Sequence, residues 1–342
     1  MKQVNWGIIG LGAIASQFSK GFKFTANAKL LGIASNDLNK IKRFKDDFDI
    51  SNDYCFSSYE NLIKNKNIDI IYIALPTSMH FEWVVKCLNE GKRVLVEKPA
   101  TTNSTEAESI KKNFLNKSIF FTEALMYLYH PQIKKVIELI KLKEIGDLIS
   151  MDTVFGSDIL TKKNFFGFKK KKKINPENRL FNKKMGGGAI LDLGCYPISF
   201  STLIASMKSQ TDLDKVEICN KKKEIVPSGV DLDSYIELKF QNNFKSKVGV
   251  SFTKNLGKQT TIFGTKGEII IEDTWTANNS KIKIKKKNED RIIEFYSNEN
   301  IYSYEIENLS QNILDNKANV EYPGLTIDDI IVNMKIIDKW LK

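Results

Sequence analysis

The stretch Val4-Asn5-Trp6-Gly7-Ile8-Ile9-Gly10-Leu11-Gly12-Ala13-Ile14-Ala15 decides the fold. Its first half, Val4 to Ile9, is a short apolar run of the kind that forms a buried strand. Its second half reads GxGxxA, and the residues from Ala13 to Phe22 have helical spacing. A glycine turn can be merely structural, but a strand before it and a helix after it give the motif weight. Gly10 allows the tight turn, Gly12 lets backbone approach a pyrophosphate, and Ala15 permits close helix–strand packing. The helix start offers free N–H groups and the positive end of its dipole. Gly10, Leu11, Gly12, Ala13 and Ile14 are therefore expected to bind a dinucleotide.

Outward from this turn, strand and helix signals alternate to about residue 122. Strands are expected at 29–35, 68–75, 93–97 and 118–122, with helices at 38–48 and 81–90 and Gly91 ending the second. This alternation predicts βαβ units and a doubly wound parallel sheet. The pattern then changes. A helix is expected at 129–143, a strand at 149–155, a polar loop at 161–184 and one helix over 186–204. Seven strand-like segments follow between Val216 and Tyr296, with little between them, and two helices close the chain. Consecutive strands with short turns predict a mostly antiparallel sheet. The expected class is thus α/β plus α+β: a Rossmann domain at 1–123, then a domain with a large open sheet at 124–342.

The 342 residues suffice for about two domains. Apolar residues make up 42%, with 21 Phe, 11 Tyr and 4 Trp to bury, which argues against disorder. The net charge of +11 is mostly lysine. It reads as the bias of AT-rich coding or as a functional basic surface. No basic and aromatic residues interleave on a recognisable module, so no nucleic-acid partner is expected. Four cysteines without CxxC spacing and only two histidines predict no metal site and fit a reducing, cytoplasmic setting. No apolar run approaches the ~20 residues of a membrane helix, so no membrane partner is expected. The run Lys169 to Lys173 is either a solvated loop or an electrostatic lip for an anionic substrate. Lys281 to Lys285 alternates with period two, as a strand with one lysine face does.

The second strand should end at the ribose. Its end reads Ala34-Ser35-Asn36-Asp37, with Lys40 one turn on. Neutral Ser35 and Asn36 with a nearby cation suit a 2′-phosphate, so NADP is expected, with NAD the alternative. Asp37 is open to two readings, a helix N-cap or a 2′-hydroxyl acceptor. Glu97-Lys98-Pro99 ends a parallel strand, where ligands bind in open α/β sheets. Buried beside a cationic nicotinamide, Lys98 would have a lowered pKa and could relay a proton. Asp192 and Tyr196 are four apart, so on one helix they would share a face. They form either a carboxylate–phenol acid/base pair or part of an ordinary amphipathic helix.

Together, GIIGLGAIA (7–15), SSYENLIKNKNIDIIYIALPTSMH (57–80), EGKRVLVEKPA (90–100), TEALMYLYHPQ (122–132), NPENRL (175–180), GGGAILDLGCYP (186–197) and YPGLTIDD (322–329) resemble the glucose-fructose oxidoreductase, inositol dehydrogenase and rhizopine catabolism (Gfo/Idh/MocA) family. The resemblance covers nearly the whole chain. It implies NAD(P)-dependent oxidation or reduction of sugars and other secondary alcohols, and an open sheet used in oligomer contacts. It places the family's lysine at Lys98 and its catalytic Asp and Tyr at Asp192 and Tyr196. The Tyr form resembles the NADP-preferring branch of dimeric dihydrodiol dehydrogenase, NADP-xylose dehydrogenase and glucose-fructose oxidoreductase. It implies that Leu75, Pro76, Thr77 and His80 line the nicotinamide side near Glu97 and Lys98, a structural role for His80 remaining open. Arg179, in NPENRL, joins Lys98, Asp192 and Tyr196 as a substrate residue. Leu128 departs from the pattern, standing where relatives commonly carry Arg.

The expected protein is an NADP-dependent oxidoreductase of a sugar or polyol, cytoplasmic, and a homodimer or homotetramer. The rivals are a sugar-nucleotide dehydrogenase of surface-polysaccharide synthesis and a non-catalytic NAD(P)-sensing regulator.

Overall fold

The strand Val4–Ile9 (β1) leads through Gly10 to Gly12 into the helix Ala13–Ser19 (α1). The computed structural model describes residues 2–114, 119–163, 169–277, 279–296 and 300–342. Then come Ala28–Ala34 (β2), Leu38–Phe48 (α2), Cys55–Phe56 (β3), Tyr59–Lys64 (α3), Ile70–Ile73 (β4) and His80–Asn89 (α4). Arg93–Glu97 (β5), Ser104–Asn113 (α5) and Phe121–Ala124 (β6) complete the series. The expected start of the last strand, Ser118, lies outside the described residues. The sheet is ordered β3-β2-β1-β4-β5-β6, with every pair parallel. That is the doubly wound dinucleotide-binding order. All four residues of β4 are buried, as a strand covered on both faces requires. Parallel strands bring the ends of β1, β2, β4 and β5 to one edge, and with them Gly10, Ser35, Leu75 and Lys98.

The chain forms two compact units, 1–130 with 297–331, and 131–296 with 332–342. This division differs from the boundary expected after residue 123. The difference comes from Ile301–Leu314, designated α9 below, whose packing returns it to the first unit. Trp6 Nε1 donates to Ser310 Oγ at 2.9 Å, and a Cβ on Gly21 would lie 2.9 Å from Ile306. The same region shortens the first helix: α1 gives way to a 3-10 turn at Lys20–Phe24 instead of running to Phe22.

The second unit begins with Pro131–Lys141 (α6) and Leu148–Gly156 (β7). Within the stretch expected to be loop, Thr161–Lys163 (β8) pairs antiparallel with Lys169–Lys171 (β9). Part of the lysine run is therefore strand, because a neighbouring strand takes up its backbone hydrogen bonds; residues 164–168 lie outside the described residues. The single helix expected over 186–204 is two, Ala189–Leu193 (α7) and Cys195–Lys208 (α8), broken at Gly194, with α8 bent by 47° from the stretch Lys183–Leu193 before it. A Cβ on Gly194 would lie 3.0 Å from the Trp340 ring, so the bend is packed tightly.

The remaining strands are Glu217–Ile225 (β10), Asp231–Lys239 (β11), Lys245–Ser251 (β12), Thr260–Gly264 (β13), Gly267–Ile271 (β14), Lys281–Lys286 (β15) and Glu289–Glu294 (β16). The sheet is ordered β10-β11-β12-β7-β13-β14-β15-β16, antiparallel except for β12 with β7. On the face that packs against α7 and α8, Ile236, Val248, Thr153, Thr260, Ile271 and Ile282 are buried in one register row. The other face carries Glu237, Lys247, Asp152, Thr261, Ile270 and Lys283, none of them fully buried. After α9 the chain closes with Ile327–Leu341 (α10). Among the described residues no single helix is long and apolar enough to cross a membrane.

Candidate active site

In the first unit, Gly10 has φ +88°, and a Cβ there would lie 2.5 Å from the Ala74 carbonyl oxygen. Only glycine makes this turn while β1 and β4 lie so close. Gly12 is the N-cap of α1 and has no side-chain cap; a Cβ on it would meet nothing within 4 Å. The space before the helix start is thus open at the one position where a pyrophosphate must approach backbone. Leu11 and Ala15 are buried beneath the turn, and Ala13 and Ile14 form the first helical positions. The residues present fit a dinucleotide.

At the end of β2, Ser35 is buried and its Oγ accepts from Asp37 N–H at 3.1 Å. Asp37 proves to be the N-cap of α2: its Oδ1 accepts from Asn39 N–H at 2.9 Å and Lys40 N–H at 3.2 Å. Its other oxygen lies 3.9 Å from Lys40 Nζ. The carboxylate is occupied by the helix it starts, which removes the main sequence argument against NADP. Asn36 and Lys40 are both exposed.

Leu75 and Pro76 are half-buried and Thr77 is buried at the end of β4. His80 opens α4, and its two ring nitrogens lie 2.8 Å from the carbonyl oxygens of Leu75 and Pro99. At the end of β5, Glu97 accepts from the Tyr72 hydroxyl and, at 3.2 Å, from Lys98 N–H. Lys98 is half-buried. Beyond it, Ala100 N–H donates to Glu123 at 3.0 Å. Burial raises the Glu123 carboxyl to about 7, although Lys98 pulls the other way. Glu305 on α9 is fully buried, and burial first, then the charge of Glu97, push it well above the carboxylate range.

In the second unit, Asp192 ends α7 and Tyr196 begins α8, so their shared face is interrupted by the bend at Gly194. Asp192 is nearly buried, and its Oδ1 accepts from both Nη1 and Nη2 of Arg179 at 3.2 Å. The glycine run makes this approach possible. Gly187 N–H donates to Asn182 O and Gly188 N–H to Leu180 O, each at 2.9 Å. A Cβ on Gly187 would lie 2.5 Å from the Arg179 carbonyl oxygen. Tyr196 is buried, with its ring 5.3 Å from Phe155 and 6.0 Å from Trp275. The Leu128 departure leaves an apolar, buried residue in the first unit.

Sequence reasoning missed Asp231, Phe155 and Trp275. Asp231 accepts from Ile190 N–H at 2.9 Å and from the Ser234 hydroxyl at 3.0 Å, capping α7 from another strand. A Cβ on Gly188, at φ +114°, would lie 2.5 Å from Asp231 Oδ1. Burial raises the Asp231 carboxyl. No local signal marks a cap that comes from 41 residues away.

Residues 4–122 match the oxidoreductase family with an NAD-binding Rossmann fold, and residues 133–270 match the GFO/IDH/MocA C-terminal domain. The chain belongs to the GFO/IDH/MocA oxidoreductase family. Among curated relatives of this GFO/IDH/MocA chain, the trans-1,2-dihydrobenzene-1,2-diol dehydrogenase of Xenopus tropicalis is 28% identical, over 98% of this chain and 97% of that protein. A dTDP-3,4-didehydro-2,6-dideoxy-alpha-D-glucose 3-reductase from Saccharopolyspora spinosa is 26% identical, over 80% of this chain and 75% of that protein. Two solved structures share the GFO/IDH/MocA fold. One is an aldose-aldose oxidoreductase from Caulobacter crescentus complexed with glycerol, with a TM-score of 0.83, 18% identity and coverage of 99% and 96% of the two chains. The other is a 3-ketoreductase from Actinomadura kijaniata in complex with NADP and TDP-benzene, with a TM-score of 0.81, 20% identity and coverage of 98% and 96%.

Proposed function

We propose that this GFO/IDH/MocA protein is an NADP(H)-dependent oxidoreductase that interconverts a secondary alcohol and a carbonyl on a sugar or related polyol. The observation that carries the cofactor reading is the open glycine turn at Gly10 and Gly12 at the end of β1. Gly10 to Ile14 would hold the pyrophosphate, and Ser35, Asn36 and Lys40 the ribose 2′-phosphate. Leu75 to Thr77, Glu97 and Lys98 would border the nicotinamide. A nicotinamide nucleotide supplies the hydride chemistry when bound.

The chain's own part is proton transfer and positioning. A hydroxyl must lose its proton as its carbon becomes a carbonyl, and Tyr196 is the group proposed to take it. A positive charge beside the phenol would favour the phenolate, and Lys98 is the cation proposed for that role. Asp192, held by Arg179, orients the start of α8 and the substrate hydroxyls. Phe155 and Trp275 hold the Tyr196 ring in one orientation. Aromatic faces of this kind also suit the C–H faces of a sugar ring. The test is turnover: reduced or oxidised cofactor followed by absorbance against a panel of sugars, polyols and vicinal diols. No turnover despite tight NADPH binding would reject the catalytic reading and favour a nucleotide sensor.

The names of the 3-reductase and of the ligand in the ketoreductase structure support a second reading, a nucleotide-linked sugar substrate. Competition of a dTDP- or UDP-sugar with the best free sugar discriminates the two. The mixed, half-exposed sheet row Glu237, Lys247, Asp152, Thr261, Ile270 and Lys283 supports assembly through this face into a dimer or tetramer. Light scattering that finds a monomer at micromolar concentration would reject that assembly. Four cysteines that form no disulfide among the described residues support a reducing, cytoplasmic setting.

A further inference from the structure

We propose that His80 is a positively charged strut, an imidazolium that donates from both ring nitrogens and ties the end of β4 to the turn after β5. The two contacts decide the matter. Nδ1 lies 2.8 Å from the Pro99 carbonyl oxygen, and Nε2 lies 2.8 Å from the Leu75 carbonyl oxygen. A carbonyl oxygen only accepts. A neutral imidazole has one N–H, and its other nitrogen presents a lone pair. In either neutral tautomer one contact would set lone pair against lone pair at hydrogen-bond distance, inside the protein. Only the doubly protonated ring satisfies both, and bonds from a charged donor are roughly twice as strong as neutral ones.

Burial opposes the charge, since His80 is 1% exposed. Carboxyl groups at the turn after β5 would reduce this cost. The groups facing this end of the sheet are Glu97 and Lys98 after β5, Tyr72 on β4, and Glu123 behind the turn. Glu97 accepts from Lys98 N–H, Tyr72 donates to Glu97, and Glu123 accepts from Ala100 N–H, one residue beyond Pro99. From α5, Glu106 is turned to Thr102 N–H at 2.8 Å. Glu97 and Glu123 bring carboxyl groups to the turn that carries Pro99, Glu123 with its carboxyl raised to about 7 by burial. The short turn at Thr77–Met79 sets the ring between the two strand ends.

The strut would fix the spacing between Leu75–Thr77 and Lys98, the segments proposed to border the nicotinamide. His80 would be a positioning residue that acts through the backbone of both. This functional part rests on the proposed oxidoreductase reading; the charge state does not.

The chain holds only two histidines, His80 and His130, so ring nitrogen resonances can be assigned by comparison with one variant. The experiment is nitrogen-15 spectroscopy of the intact apoprotein near pH 7.5, with His80→Gln as the assigning variant and His130→Gln as its substitute should the first not fold. The expected result is one histidine with both nitrogens protonated, assigned to His80. A His80 ring with one unprotonated nitrogen at that pH would overturn the charge. An imidazolium bound only when folded stabilises most below the unfolded histidine value of ~6.5, and loses this as pH rises through its folded value. The melting-temperature gap between wild type and His80→Gln should therefore narrow toward alkaline pH; a constant gap overturns the strut. NADPH affinity should fall roughly tenfold in His80→Gln, read by fluorescence titration without turnover. Unchanged affinity beside a confirmed imidazolium would overturn the positioning role. Failure of the oxidoreductase reading would show separately, as wild-type protein without turnover.

Discussion

Arg179 and Asp192, 13 residues apart, meet end-on: both guanidinium Nη atoms lie 3.2 Å from the same carboxylate oxygen, Oδ1. The Arg179 side chain is 42% exposed and that of Asp192 only 12%, so the arginine reaches inward to a nearly buried carboxylate. The pair sets a cation beside Asp192 within the second unit, whereas Leu128, in the first unit, is apolar and buried.

Removing that cation leaves a nearly buried carboxylate without its arginine. Arg179→Met should lower kcat roughly 10–100-fold, the scale of a lost charge-assisted hydrogen bond. Cofactor affinity should hold, because Gly10 to Lys40 lie in the other unit. Steady-state kinetics beside a cofactor titration decide; equal loss in both would assign Arg179 a general folding role.

The two glycines of the first turn should fail differently. Gly10→Ala places a methyl 2.5 Å from the Ala74 carbonyl oxygen in left-handed backbone, so it should lower the melting temperature. Gly12→Val meets open space, so stability should hold while NADPH binding is lost. Thermal unfolding and fluorescence titration read the two effects. A destabilised Gly12→Val would mean that the space is filled by the protein itself.

Tyr196→Phe removes the proposed proton carrier and keeps the ring packing with Phe155 and Trp275. Single-turnover rates should fall roughly 10²–10⁴-fold, the usual range for general acid–base help. Lys98→Met should lose rate as well, and the double variant should lose less than the product, because the two groups act as one unit. Near-wild-type rates in Tyr196→Phe would move the proton chemistry elsewhere.

Cofactor choice turns on Lys40. Because Asp37 is committed to the amides of α2, Lys40 is the cation proposed for a 2′-phosphate. Lys40→Ala should weaken NADPH roughly tenfold, the scale of one hydrogen bond to a charged group, and leave NADH unchanged. Equal wild-type affinities for the two cofactors would sink the preference.

Glu305 gives a pH dependence with a definite sign. An unfolded glutamate loses its proton near ~4.3, whereas buried Glu305 keeps its proton far higher. Between those two values the unfolded chain releases a proton that the folded one retains, so stability falls as pH rises. Glu305→Gln removes this dependence. Its melting temperature relative to wild type should climb from about pH 4 and level off once the folded value is passed. A gap independent of pH would show that Glu305 is ionised in the folded protein.

What the sequence by itself determined was local. The apolar run Val4 to Ile9, the glycine turn and the alternation after it led to a parallel sheet, and the strand order follows that reading. Leu38 to Phe48 is helical as its spacing implies, and Lys281 to Lys286 is a strand with Ile282 and Ile284 inward. These features depend on neighbours within a few residues, where periodicity and capping act. Only the tertiary structure decided the rest. The break at Gly194 depends on Trp340, the cap of α7 on Asp231, and the return of α9 on Trp6 and Gly21. The choice for Asp37 between capping and ribose binding needed the direction of its carboxylate, and the charge proposed for His80 needed two carbonyl groups that follow separate strands. Burial and long-range hydrogen bonding arise when distant segments pack, so no window of sequence around these residues contains the partners that set their roles.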